Sequence, residues 1–228
     1  MLKKQKMNKK IRNITKSFLF FFTVFINGQE LKKDSLKYTD IEAVILNEKD
    51  YRKVNYHFAL KQKGNNRLIS YPNYEMGMKF KNNLGKAGFV SHVTLYLHKT
   101  DPEVRNTNVE INFYTIDSLT GKPKTKLNKN KIIYTPTSKS RKQVVIDVET
   151  YKIPFPVDGV FASMKWLPNE FNDRKLGPSA RYTLASEEEL TYERLYGDWG
   201  LNGGQNPRTK GFINMMMGLE VYFKKDKK

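Results

Sequence analysis

The sequence predicts an all-β fold: an antiparallel β-sandwich forming a single domain. Residues 89–97 and 109–116 alternate apolar and polar side chains with a period of two, the mark of a half-buried antiparallel strand. Turn residues recur at short intervals between further short apolar runs, and no stretch carries a long helical period. Many short strands with frequent turns and no long helix are the pattern of a sandwich.

The chain opens with seven basic residues and no acid between Met1 and Lys16, then an apolar run from Phe18 to Ile26, then Asn27-Gly28-Gln29. A basic segment, a short apolar segment and a small residue at the cut form a secretory signal pattern. The apolar run is about half of the roughly 20 residues a membrane-spanning helix needs, so no transmembrane anchor is expected. Residues 1–28 are therefore read as a signal peptide, with export to the periplasm, the cell surface or the exterior.

The whole chain holds 41 Lys and Arg against 23 Asp and Glu, a formal +18. Without the leader 34 basic residues remain, or +11, spread along the chain apart from Lys122–Lys131, Lys139–Lys142 and the Lys224–Lys228 tail. Such a surface attracts polyanions, but no basic stripe or nucleic-acid motif accompanies it. No specific nucleic-acid partner is expected. The chain has no cysteine, which excludes disulfides, thiolate nucleophiles, Cys-ligated metals and lipid attachment at a cleavage-point cysteine.

Residues 29–66 form a polar lead-in. Ile41–Leu46 fits a strand or a helical turn equally, and Lys63-Gly-Asn-Asn66 is a turn cluster before the main domain, residues 67–228. In the first strand Phe89, Ser91, Val93, Leu95 and Leu97 share one face, with Val90, His92, Thr94, Tyr96 and His98 on the other. Thr100-Asp-Pro-Glu103 makes a turn. In the next strand Val109, Ile111 and Phe113 oppose Glu110, Asn112 and Tyr114, and Leu119–Pro123 breaks it. Lys131–Tyr134, Gln143–Val148 and Gly159–Leu167 supply three more strands. Ile153-Pro-Phe-Pro156 is too proline-rich for a central strand and is expected to be a connection. Leu176-Gly-Pro178 is expected to turn and Arg181–Ala185 to form a strand. Ser186-Glu-Glu-Glu189 fits a capping box opening a turn of helix, Gly197–Gly211 a long loop, and Phe212–Phe223 the closing strand. No internal repeat occurs.

Gly88–Leu97, Val109–Tyr114, Thr120-Gly-Lys-Pro123, Tyr151–Pro156 and Val160–Trp166 occur in an order that resembles a secreted β-sandwich module of Gram-negative bacteria. That module is often found beside carboxypeptidase-regulatory-like domains in envelope proteins. The resemblance covers roughly residues 76–170, with a weaker echo near Trp199 and in the last strand. It implies an extracytoplasmic jelly-roll-like domain without an established reaction. Residues 30–66 are too short for the accompanying regulatory domain, and no functional residue is carried over.

The candidate sites are few. His92 and His98 lie six residues apart on one strand, roughly 20 Å, too far for one metal, and His57 is the only other imidazole; no metal and no cofactor is expected. Glu110 and Asp147 both point outward and are the best carboxylate pair for a glycosidase, which needs its two carboxyls roughly 5–10 Å apart. Glu187–Glu189 lacks the spacing of a calcium loop. Ser91, Ser163 and Ser186 have no nucleophile-elbow context, and Gly203–Gly211 lacks the Gly-Lys-Ser/Thr ending of a phosphate loop. No catalytic residue is assigned.

Aromatics remain, because flat faces make efficient ligand platforms. Trp199 in the glycine-rich loop is the first candidate, with Tyr196 and Asp198 beside it, and Tyr96 and Tyr114 form an outward cross-strand pair. Trp166 shares parity with Val160, Ala162 and Met164 and belongs to the core. The plainer reading of Trp199 is an aromatic folded back over the sandwich. The expected function is a binding or structural module of the cell envelope, with a glycan or another envelope component as partner. The alternatives are an extracytoplasmic glycan-active hydrolase of jelly-roll fold and a basic polyanion-binding protein. Fold alone does not choose among them.

Overall fold

Two antiparallel sheets pack face to face in the computed structural model, which describes residues 48–57, 67–98, 104–137, 142–183 and 186–226. These residues lie in one compact unit, Leu46–Lys228. The leader, Ile41–Leu46, Lys63–Asn66 and Thr100–Glu103 fall outside the described residues. In chain order the strands are β1 (Tyr51–His57), β2 (Arg67–Ser70), β3 (Glu75–Phe80), β4 (Gly88–His98), β5 (Val109–Ile116), β6 (Pro123–Lys126) and β7 (Ile132–Tyr134). Then follow β8 (Lys142–Asp147), β9 (Ile153–Phe155), β10 (Val160–Trp166), β11 (Leu176–Arg181), β12 (Thr191–Arg194), β13 (Gly200–Leu201) and β14 (Met217–Lys224). Among the described residues the helical content is two 3₁₀ turns, Glu48–Asp50 and Glu149–Tyr151.

The first sheet runs β1-β14-β4-β11-β2, with β8 and β9 on the other side of β4. The second runs β13-β12-β3-β10-β5-β6, with β7 also on β5. The chain crosses repeatedly between them: β3 lies in the second sheet, β4 in the first, β5 in the second, β9 in the first and β10 in the second. That is the all-β antiparallel sandwich expected, built in jelly-roll-like fashion.

The core forms where the inner faces meet. Met76, Met78, Val160, Ala162, Met164, Trp166, Val109, Ile111 and Phe113 come from the second sheet, and Val93, Leu95, Leu97, Met217, Leu219 and Val221 from the first. Each of these side chains is 0–1% exposed, and burial of an apolar side chain this complete is worth about 1.5–3 kcal/mol. The indole N–H of Trp166 donates to the Pro178 carbonyl at 2.9 Å, so the largest buried side chain also satisfies its polar atom.

Several local expectations are corrected. The alternation in β4 is not strict, because the β14 register skips Ser91: His92 pairs with Glu220 and Val90 with Val221. This bulge inverts parity below it, placing Val90 in the core and Phe89 half-buried on the outside. The Ser91 carbonyl accepts from the Val148 N–H at 2.8 Å. Ile153–Phe155 is a strand after all, a three-residue edge strand against the start of β4, the kind of position where a proline is tolerated. Leu176–Pro178 opens β11 and does not turn; the pairing with β2 shifts register within this strand. Residues 186–189 form no helix: the Ser186 hydroxyl donates to the Glu188 carbonyl at 2.9 Å. Gly200 and Leu201 pair with β12 inside the expected loop, and the closing strand begins at Met217, with Phe212 and Met215 making isolated bridges. Within the polar lead-in, Tyr51–His57 pairs with β14 along its whole length.

Candidate functional site

The outer face of the second sheet should be wet by its position, yet much of it is buried. Register aligns three rows of outward side chains across it. The first runs Arg194, Glu75, Lys165, Glu110 from β12 to β5; the second Tyr192, Gly77, Ser163, Asn112; the third, beginning at β3, Lys79, Phe161, Tyr114. Tyr114 then pairs with Lys126 of β6.

Glu75, 1% exposed, is the hub. Its Oε1 accepts from Asn112 Nδ2 at 3.0 Å, the Tyr114 hydroxyl at 2.9 Å and the Ser163 hydroxyl at 2.5 Å. Its Oε2 accepts from Arg194 through Nε at 2.9 Å and Nη2 at 2.7 Å. Five donors on two oxygens use the acceptor capacity of a carboxylate, and a fork-shaped guanidinium is the partner best matched to it. Arg194 Nη2 also donates to the Tyr114 oxygen at 2.9 Å. Burial, and then the neighbouring Glu75, push the Tyr114 phenol well above its ordinary value of 10.0.

Over this network lies a second apolar cluster of Tyr114, Phe161, Tyr192 and Trp199. Trp199 packs edge-on against Phe161 at 5.0 Å and Tyr114 at 5.6 Å between ring centroids. The Arg194 guanidinium carbon stands 4.5 Å from the Trp199 ring and 5.5 Å from that of Tyr114, a cation–π arrangement that ties the charged hub to the aromatic cover. Gly77 makes room beneath: a Cβ there would stand 2.2 Å from the Ala162 carbonyl oxygen and 2.6 Å from Ser163 Cα.

The sequence-derived candidates divide. Trp199 and Tyr114 do meet, but as buried partners, 6% and 4% exposed, so Trp199 is folded back over the sheet. Tyr196 is 82% exposed at the hairpin tip between β12 and β13, with Leu195 and Leu201 also exposed and Asp198 beside it. Tyr96 belongs elsewhere. It lies on β4 in the first sheet, its hydroxyl 3.4 Å from His57 Nδ1, so it forms no pair with Tyr114. Glu110 and Asp147 are likewise separated by the sandwich: Glu110 is on the second sheet and bonded to Lys126 Nζ at 2.8 Å, while Asp147 is exposed on the first. They do not form a glycosidase pair.

On the first sheet's outer face His92 Nδ1 lies 3.0 Å from Glu220 Oε1, and the Ser91 hydroxyl donates to the same oxygen at 2.9 Å. Partial burial opposes ionisation of Glu220, yet Ser91, Lys53 and His92 outweigh it and hold the carboxyl below its ordinary value. Of the acidic cluster, Glu188 pairs with Lys81 at 3.3 Å and Glu189 accepts from the Gly203 N–H at 2.5 Å. Among the described residues no group of three His, Asp or Glu is placed to hold a metal ion, and no helix is long and apolar enough to cross a membrane.

Glu75, Arg194, Asn112 and Ser163 were not foreseen as a group. Their sequence signal is the polar, uncharged pair Asn112 and Ser163 at outward positions of strands where lysine or glutamate is ordinary on a wet face.

No family model and no curated protein matches the chain. A crystal structure of the cysteine protease and lectin-like domains of a surface-layer-associated protein of Clostridium difficile is similar to it, with a TM-score of 0.50 and 11% identity. The match covers 78% of this chain and 37% of that one, so this chain spans little more than a third of the matched protein's length. At that identity the similarity concerns the fold.

Proposed function

We propose that this protein is a glycan-binding module of the cell envelope, exported by its N-terminal leader, and that the β12–β13 hairpin carries the sugar contact. The observation behind this reading is an aromatic side chain, Tyr196, 82% exposed on a hairpin whose root is immobilised. Arg194 is clamped to Glu75 and stacked on Trp199, so both ends of the loop that carries Tyr196 are held by the sheet. A tyrosine has only two side-chain torsions to fix, so it loses little conformational entropy when a sugar ring stacks on it. Leu195 and Leu201 widen the apolar surface, and Asp198 and the part-exposed edge of Arg194 offer hydrogen bonds to hydroxyls. A lectin-like domain occurs within the similar structure, which fits the reading at the level of fold.

The test is titration of the full chain with neutral cell-surface oligosaccharides. Tyr196→Ala should weaken binding about tenfold or more, with thermal stability unchanged because the side chain is exposed. Unaltered binding in that variant would remove the hairpin as the site.

A further inference from the structure

We infer a second, anion-selective site at one end of the sandwich: a basic cleft that takes a sulfate or phosphate ester carried on a sugar. The cleft has a volume of about 410 Å³ and lies between the end of β14, the β1 residue Arg52 and the β3–β4 connection. Its lining includes four cations, Arg52, Lys86, Lys224 and Lys225, and one carboxylate, Asp226. That carboxylate is engaged by Lys86 Nζ at 2.5 Å, and Lys225 Nζ donates to the Lys49 carbonyl at 2.6 Å. Among the described residues Arg52 and Lys224 have no ion-pair partner. The lining therefore carries two free cations, which the β1–β14 register sets on opposite faces of the sheet, Arg52 level with Phe223 and Lys224 level with Tyr51. An oxyanion held between them would meet uncompensated positive charge.

The remaining lining is apolar. Leu84 is 36% exposed, and Phe223 lies beneath at 2%. An apolar floor beside free cations suits a ligand with a C–H face next to its charge, which describes an esterified sugar ring better than a bare phosphate. The volume is at the small end of ligand sites, the size of one or two rings; it does not track a polymer backbone as a nucleic-acid groove does.

The wall is also pre-built. Asn82 Nδ2 donates to the Lys86 carbonyl at 2.6 Å and the Pro156 carbonyl at 2.8 Å, while its Oδ1 accepts from the Leu84 N–H at 3.0 Å. Gly85 takes φ +62° between the two wall residues, with no atom near its missing Cβ. One side chain thus holds the loop that carries Leu84 and Lys86.

This site is separate from the hairpin, and its test distinguishes the two. The full chain is titrated with a sulfated glucosamine oligosaccharide and with the same oligosaccharide desulfated, following backbone amide shifts. The sulfated form should bind saturably and move the amides of Leu84–Lys86 and Phe223–Lys225, and the desulfated form should bind about tenfold more weakly or worse. Arg52→Gln with Lys224→Gln should abolish that preference. Lys122→Gln with Lys131→Gln, which removes the same charge from the opposite sheet's connections, should preserve it. Tyr196→Ala should leave it intact, even if the neutral-glycan reading fails. Equal loss in the two double variants would overturn the proposal, since binding would then follow net charge. So would shifts away from the cleft, or capture by phosphatidylglycerol vesicles that the sulfated sugar does not displace.

Discussion

Glu75→Gln is the substitution with the most to report, because it keeps the shape of the hub and removes its charge. In the native arrangement one oxygen receives three neutral donors and the other receives Arg194. An amide has one acceptor oxygen and one donor nitrogen, so its NH₂ must face either Arg194 or the Tyr114–Asn112–Ser163 group. Turned toward Arg194 it meets a donor. Turned toward the group it meets the Asn112 NH₂, while the Tyr114 and Ser163 hydroxyls can rotate to accept. In either orientation the guanidinium has lost its counter-charge. Leaving one partner of a buried pair uncompensated costs about 3–5 kcal/mol, and each buried polar group without a partner about 1–3 kcal/mol. The Arg194 side chain is 33% exposed and can regain water, which places the expected loss near the lower end, about 3 kcal/mol. For a domain of this size that is a fall in Tm of roughly 6–12 °C. Urea unfolding followed by far-ultraviolet circular dichroism and by tryptophan fluorescence gives the free energy, provided the two transitions coincide. A double-mutant cycle with Arg194→Met should return a coupling of about 1.5–3 kcal/mol. A Glu75→Gln loss below about 1 kcal/mol, or a coupling near zero, would refute the view that this pair anchors the outer face.

Three further outcomes follow from the same geometry. Trp199→Ala uncovers Phe161 and should cost about 3–5 kcal/mol by urea denaturation; a neutral result would mean that the hairpin root is not packed. Gly77→Ala should be about 2 kcal/mol destabilising or worse, since its methyl would meet the β10 backbone at 2.2 Å, and full stability would show that the two strands can separate freely. Asp117 accepts from the Thr120 N–H and from Lys124, which hold its carboxyl well below the ordinary 3.8. Because its folded value is depressed, its contribution to stability is complete above the ordinary carboxylate range and fades as pH falls through the folded value. A carbon-detected NMR titration should find Asp117 still ionised at pH about 3, where an unperturbed aspartate is mostly protonated, and an ordinary midpoint would contradict the turn's hydrogen bonding.

Alternation made β5 and β10 legible, including the inward parity of Trp166, because a single buried face imposes a period of two. It failed in β4, where one extra residue at Ser91 is invisible to a pattern that Phe89 and Val90 satisfy almost equally well. Proline content concealed β9 and β11, since a rule that excludes prolines from central strands cannot anticipate an edge strand or a register shift. The candidate site divided for a different reason. Parity says which way Tyr96 and Tyr114 point but not which sheet each strand joins, and they lie on different sheets. Glu75 and Arg194 are 119 residues apart in sequence, and nothing local announces that β12 will lie beside β3. Outward polar residues look solvated until the strand that covers them is placed.

The most direct test of the proposed role is an amide-shift titration of the full chain with neutral surface oligosaccharides, run on the native protein and on Tyr196→Ala. Saturable shifts centred on Arg194–Leu201 that disappear in the variant are the predicted result. Saturable binding whose shifts lie elsewhere and survive in Tyr196→Ala, or no binding at all, would contradict it.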